Sequence, residues 1–235
     1  MSRSLLPSYL ATSTLTYTEN TIEIGVDEVG RGPMLGRVYT AAVILPKDSP
    51  TFQYHLLKDS KRFHSEKRIK EVSDYIKANA IAYHISYCSE GVIDDINIRQ
   101  ATLRSMHECI REIIKKQDAA VNLSTAPPSY FLLIDGNDFK PFTRYVQYHL
   151  QLEEVPYVCI EGGDDKYCSI AAASILAKVA RDAYIAELCA SEPDLIRKYD
   201  LLKNKGYGTK KHMEGLKEHG LTPYHRKTFG QNKFL

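Results

Sequence analysis

Acidic residues close three short apolar runs in this 235-residue chain. Asp27 and Glu28 follow Ile22–Val26, and Asp135 follows Tyr130–Ile134. Asp164 and Asp165 follow Val155–Ile160 and a Glu161-Gly162-Gly163 turn. Carboxylates are hard oxygen donors that suit Mg²⁺ or Mn²⁺, and no His or Cys pattern of zinc-ligand spacing accompanies them. Without a cation, clustered carboxylates repel one another and raise their own pKa values. Two divalent ions about 3.5–4 Å apart can activate water and stabilise the leaving oxygen of a phosphodiester. Gly30-Arg31-Gly32 comes directly after the first acid pair, with Gly36 beyond it. Glycines on both sides of a cation let the backbone approach a phosphate or sugar closely. Neighbouring side chains of a strand point to opposite faces, so Asp27 and Glu28 are expected to share a metal only if the strand breaks there. A polar turn between two strands would use the same residue types. The shared position of the acids, each after an apolar run, is what favours a site.

The elements that must position these acids read as follows. Ile22–Val26 and Val38–Leu45 are expected strands, the second nearly continuous in apolar residues, as a well-buried strand would be. Ser65 caps an expected helix with Ile69, Val72 and Ile76 at helical spacing. Ile81–Tyr87 reads as a strand, and Asp94–Lys116 as a helix with Ile98, Leu103, Met106, Ile110 and Ile113 on one broad face. Residues 117–129 form the most linker-like stretch and read as a surface loop. Tyr130–Ile134 and Val155–Ile160 are further expected strands. A long helix rich in small residues, from about Ser169 to Ala190, can lie close against a sheet through Ala171, Ala172, Ala173 and Ser174. This order of strands and helices is an α/β pattern around one sheet, and acids at separate strand ends can converge at one sheet edge.

Composition narrows the functional classes. No apolar run approaches the roughly 18 residues of a membrane span, and the first twenty residues make a poor secretory signal. The five cysteines are odd in number and lack C-x-x-C spacing, which fits reduced thiols inside a cell. A soluble cytoplasmic protein is the expectation. The net charge of +2 is uneven: residues 196–235 carry ten Lys/Arg against three Asp/Glu. A basic tail region beside an acidic centre suits a polyanion bridged to the protein by cations. A nucleoside-triphosphatase reading lacks the G-x-x-x-x-G-K-[ST] loop. His212, His219 and His225 fit no metal-ligand spacing and read as structural or phosphate-proximal.

From about Ile22 to Phe229 the chain resembles ribonuclease HII, the bacterial and archaeal form of type 2 ribonuclease H. The matching segments are GVDEVGRGPMLG at 25–36, DSK at 59–61, IDGN at 134–137, GD at 163–164, IAAASILAKVARD at 170–182, KGYGT at 205–209 and HRKTF at 225–229. The resemblance implies a ribonuclease H-like α/β fold: a mixed five-stranded sheet flanked by helices, with a small C-terminal helical region. The expected organisation is a poorly ordered lead-in over 1–20, a catalytic domain over 21–190, and a basic helical region over 191–235 packed on that domain.

The resemblance also implies an endonuclease that hydrolyses the RNA strand of RNA–DNA hybrids. It would nick duplex DNA on the 5′ side of embedded ribonucleotides, as ribonucleotide excision repair requires, leaving 3′-hydroxyl and 5′-phosphate ends. Asp27, Glu28, Asp135 and Asp164 would be the catalytic carboxylates holding two Mg²⁺ or Mn²⁺ ions. Asp164 is preferred to Asp165 because the family's acid directly follows the glycine. Gly30, Arg31 and Gly32 would contact the 2′-hydroxyl, the group that distinguishes RNA from DNA. Tyr207 would stack at the junction sugar, and Lys61, Lys166 and Lys178 would contact phosphates. His225 and Arg226 match the family without a role that the residues suggest. The chain departs from the family after DSK and at Glu161, where a basic residue is usual, and both departures bear on phosphate contacts. Arg31 separates the chain from ribonuclease HIII, which carries Lys there. A monomer is expected, with no membrane association. The tail Gln231-Asn232-Lys233-Phe234-Leu235 is partly similar to a sliding-clamp-binding motif but lacks its spacing and paired aromatics.

Overall fold

Alternating apolar residues in the central strands decide how the layers stack. In β1 (Ile22–Val29) Ile24 and Val26 face one side of the sheet, while Gly25 and Asp27 face the other. The computed structural model describes residues 4–11, 13, 20–47, 49–120 and 127–229. β1 lies at the centre of a five-stranded sheet of order β3-β2-β1-β4-β7, formed with β2 (Val38–Ile44), β3 (Ala82–Cys88), β4 (Tyr130–Asp135) and β7 (Tyr157–Ile160). β1, β2 and β3 pair antiparallel, and β1, β4 and β7 pair parallel, so the sheet is mixed as expected.

The first face packs on α2 (Glu90–Ala119), where Ile24, Val26, Ala42 and Ile134 meet Met106, Ile110 and Ile113. The second face packs on α1 (Glu66–Asn79) and α3 (Cys168–Ser191), where Ala41 and Val43 meet Ala171, Ala172, Ile175 and Leu176. α4 (Asp194–Tyr199), α5 (Leu201–Asn204) and α6 (Lys210–His219) close a separate apolar cluster with Met34 and Leu35, which lie just past the glycine loop.

Four features differ from the sequence reading. β1 does not break at the acids: Asp27 pairs with Ala41 and Glu28 with Thr40, and the strand runs to Val29. The expected strand over 155–160 is cut by Pro156, which cannot donate to a ladder. β6 (Gln151–Val155) ends before it and pairs with β5 (Phe142–Val146) in a hairpin whose largely polar strands gave no apolar signal. α2 starts at Glu90, capped by Ser89, and is interrupted at Asn97, whose φ of 64° and side-chain bond to Gln100 N–H make it a second cap inside the helix. The described part of the lead-in is bonded to the domain: Leu6 pairs with Lys166 and Cys168 backbone, and Ser8, Tyr9 and Leu10 donate to the Glu23 carboxylate. The tail at 231–235 lies outside the described residues.

A very close approach of helix to strand sits two residues before the first acid. A Cβ on Gly25 would lie 2.3 Å from the Ser169 carbonyl carbon. Gly25→Ala is therefore expected to push α3 off β1 and cost about 3 kcal/mol, the upper range for overpacking. Chemical denaturation of the two proteins measures this, and an unchanged midpoint would contradict the close packing.

Candidate metal centre and adjoining loop

Strand register brings the acids together. The parallel ladder between β1 and β4 ends at Val26↔Ile134, so the next residues, Asp27 and Asp135, stand side by side just past it on the α3 face, each still paired with its other neighbour strand. Glu28 has the opposite parity. Beyond Val26 β1 has no β4 partner, and the longer Glu28 side chain reaches the same edge: carboxylate oxygens of Asp27, Glu28 and Asp135 all lie within 4.8 Å of one another. Asp164 is outside this trio. It sits on a 3₁₀ turn, Gly163–Asp165, that follows β7, and Gly163 N–H donates to Asp135 Oδ1 at 2.7 Å. Its Oδ2 is 3.6 Å from Lys61 Nζ. Asp165 points elsewhere and pairs with Arg62.

Burial makes these acids electrostatically costly. Asp27 is 3% exposed and Asp164 5%. Burial, then the charges of Glu28 and Asp135, push the Asp27 carboxyl well above its ordinary range, against a Ser174 hydrogen bond and the Glu28 N–H. Burial also raises Glu28, opposed by Arg31, whose Nη1 is 3.4 Å away. Asp164 is raised by burial and by Asp135, opposed by Lys61. Hard oxygen donors crowded in this way fit a divalent cation such as Mg²⁺ or Mn²⁺, which would relieve the repulsion.

Of the other expected residues, Gly30, Arg31 and Gly32 follow the acids after Val29, and Gly30 has a φ of 96°. Tyr207 is 48% exposed, and its ring edge is 3.3 Å from where a Gly32 Cβ would stand. The loop and the tyrosine thus meet although 175 positions separate them. Lys166 donates to the Glu161 carbonyl, and Lys178 pairs with Asp182 across one turn of α3. Neither has an ion pair with the acid trio among the described residues.

Four side chains behind the loop are buried, Arg181, His212, His225 and Arg226, and the sequence reading, which took the histidines as structural or phosphate-proximal, gave none of the four a partner in this arrangement. The HRKTF match singled out His225 and Arg226 but gave no partner. Arg181 Nη2 donates to the Lys205 carbonyl at 2.6 Å, and its Nε would be 2.5 Å from a Gly30 Cβ.

Residues 24–234 match the Ribonuclease HII family model. The chain is 42% identical to Ribonuclease HII of Cytophaga hutchinsonii over 91% of each chain. The chain belongs to the ribonuclease HII family. It is therefore a metal-dependent ribonuclease H, an endonuclease of RNA–DNA hybrids. The same fold occurs in ribonuclease H2 of Pyrococcus horikoshii, at a TM-score of 0.63 and 22% identity over 91% of this chain and 96% of that one. It also occurs in the RNase HII of Archaeoglobus fulgidus solved in a complex with PCNA, at 0.63 and 24% over 89% and 95%. Within this ribonuclease HII chain no helix is long and apolar enough to cross a membrane, among the described residues.

Because protons and cations compete for the raised carboxyls, divalent-ion affinity is expected to strengthen as pH rises through the acidic range, with protons released on binding. Calorimetry in buffers of different ionisation enthalpy measures both effects. Binding without proton release at pH 5 would contradict the crowded site.

Proposed function

We propose that Asp27, Glu28, Asp135 and Asp164 hold two divalent ions, Mg²⁺ or Mn²⁺, for phosphodiester hydrolysis, and that the adjoining loop selects a ribonucleotide as the cleavage point. The carrying observation is the clustering of the Asp27, Glu28 and Asp135 oxygens within 4.8 Å, one residue upstream of a loop backed by Tyr207. The chemistry such ions supply when bound is activation of a water and neutralisation of charge on the leaving 3′-oxygen.

The chain's own residues do the rest. Asp135 is oriented by the Gly163 N–H, and Asp164 is carried toward it by the 3₁₀ turn. Gly30, Arg31 and Gly32 present backbone to the 2′-hydroxyl at close range, because the glycines carry no side chain there. Tyr207 stacks on the junction sugar beside them. Lys61, next to Asp164, contacts a phosphate, with Lys166 and Lys178 as further contacts along α3 and its approach. The substrates are RNA–DNA hybrids and duplex DNA with embedded ribonucleotides, cut on the 5′ side to leave 3′-hydroxyl and 5′-phosphate ends. The protein acts as a cytoplasmic monomer. The partial similarity of residues 231–235 to a clamp-binding motif would serve a sliding-clamp contact.

Asp27→Asn is expected to abolish cleavage and leave binding of a hybrid largely intact. A variant that cut at the wild-type rate with Mg²⁺ would remove Asp27 from the site. Tyr207→Ala is expected to lose more activity on a duplex bearing one ribonucleotide than on a long hybrid, read as kcat/KM beside an all-DNA control. Equal losses on both substrates would count against junction sensing.

A further inference from the structure

Residues 222–226 make two sets of contacts to which the proposed function gives no role. Arg226 is fully buried and donates to three carbonyls of the glycine loop. Its Nη2 reaches Gly30 at 2.6 Å, its Nη1 reaches Arg31 at 3.0 Å, and its Nε reaches Gly36 at 2.8 Å. Its own N–H donates to the Met34 carbonyl. The guanidinium fork thus fixes the loop from behind, through carbonyls on both sides of Gly32.

The neighbouring His225 is buried too, and its Nε2 is 3.1 Å from Nε2 of the buried His212. A donor at one end and an acceptor at the other determine where the protons lie. Thr222 N–H donates to His225 Nδ1 at 3.0 Å, so that nitrogen is bare and the proton of the neutral ring is on Nε2. His225 Nε2 therefore donates to His212 Nε2. The His212 proton must then be on Nδ1, where it donates to the Tyr207 carbonyl at 3.0 Å. Burial pushes both rings down, His225 to about 4, which keeps the pair neutral near pH 7. Thr209 N–H shares the Tyr207 carbonyl.

We propose that Thr222, His225, His212 and Arg226 form one positioning unit that holds the Tyr207 backbone and the Gly30–Gly32 loop in register for reading a single ribonucleotide. The unit rests on the recognition roles proposed above for Tyr207 and the loop. These are positioning residues: each acts through Tyr207 or the loop, and none belongs to the acid cluster. One short segment, anchored by Lys227 and Thr228 on the Asp94 carboxylate, thereby reaches both halves of the recognition surface.

Two measurements test it. In the wild-type protein, ¹⁵N NMR of the imidazoles at neutral pH is expected to show His225 protonated on Nε2 and His212 on Nδ1. His212 carrying its proton on Nε2 overturns the relay. The second measurement is the ratio of kcat/KM on a single-ribonucleotide duplex to that on a long hybrid, with Tm and Mn²⁺ affinity recorded alongside. General destabilisation lowers both substrates together and leaves the ratio alone. Arg226→Lys and His212→Phe are expected to lower the ratio about tenfold, the scale of one lost buried hydrogen bond, with Mn²⁺ affinity unchanged. His212→Asn places an amide N–H near the Nδ1 position and is expected to recover most of the ratio. A folded Arg226→Lys protein with the wild-type ratio overturns the proposal alone. A wild-type protein that cuts hybrids but ignores the single ribonucleotide overturns the recognition reading, and the proposal with it.

Discussion

Like charges held close in a buried place are the constraint on which the rest of this structure depends. Two carboxylates about 4 Å apart repel by about 4 kcal/mol at an effective dielectric of 20, and three lie within 4.8 Å here. Left to themselves they would separate. They cannot, because Asp27 and Asp135 project from adjacent central strands whose register is locked on both faces by apolar packing. The small residues of α3 and the bare Cα of Gly25 press the helix onto the sheet behind them, so no relaxation is available in that direction. The sheet holds the carboxylates at a separation whose repulsion a bound divalent cation would relieve.

The opposite charge is buried on the other side of the same short segment. Arg181 and Arg226 are almost wholly removed from water behind the loop that follows the acids. Backbone carbonyls of Gly30, Arg31 and Gly36 take up the N–H groups of Arg226, while Arg181 gives one N–H to the Lys205 carbonyl and its buried Nε has no hydrogen-bond partner among the described residues. The Arg226 guanidinium is costly to disturb, because its truncation leaves three carbonyls without donors. Residues 27–36 therefore run from a buried anionic end to a loop clamped by buried cations. Arg31, whose side chain is half-exposed, is left to span the two at the surface through its contact with Glu28.

Much of this was legible in the sequence where it depends on local pattern. The apolar runs before Asp27, Asp135 and Asp164 reported strands of the main sheet, although only Asp135 ends its strand, and the alanines of 171–173 reported a helix pressed on a sheet. The approach of Glu28 to the other acids was not legible, because it depends on where β4 stops pairing with β1 and not on a break in β1 itself. The β5–β6 hairpin escaped notice because Thr143, Arg144, Glu153 and Glu154 mask its few buried apolar positions. The kink at Asn97 was hidden inside a helical pattern that continues on both sides. His212, His225 and Arg226 were visible as residues but silent as partners. Their contacts cross turns whose geometry comes from left-handed backbone at Asp200, Lys205 and Gly206, which no periodicity reports.

The Arg226 contacts also order events in time. Its bonds to Gly30 and Arg31 join positions 196 and 195 residues apart. A chain emerging from the ribosome completes β1, β4 and the turn bearing Asp164 well before residue 226 exists. The half that bears the acids is thus synthesised first, and the clamp on the loop that follows them arrives last. Chains interrupted between residues 191 and 222 would carry the acids with the Gly30–Gly36 segment unbraced by Arg226.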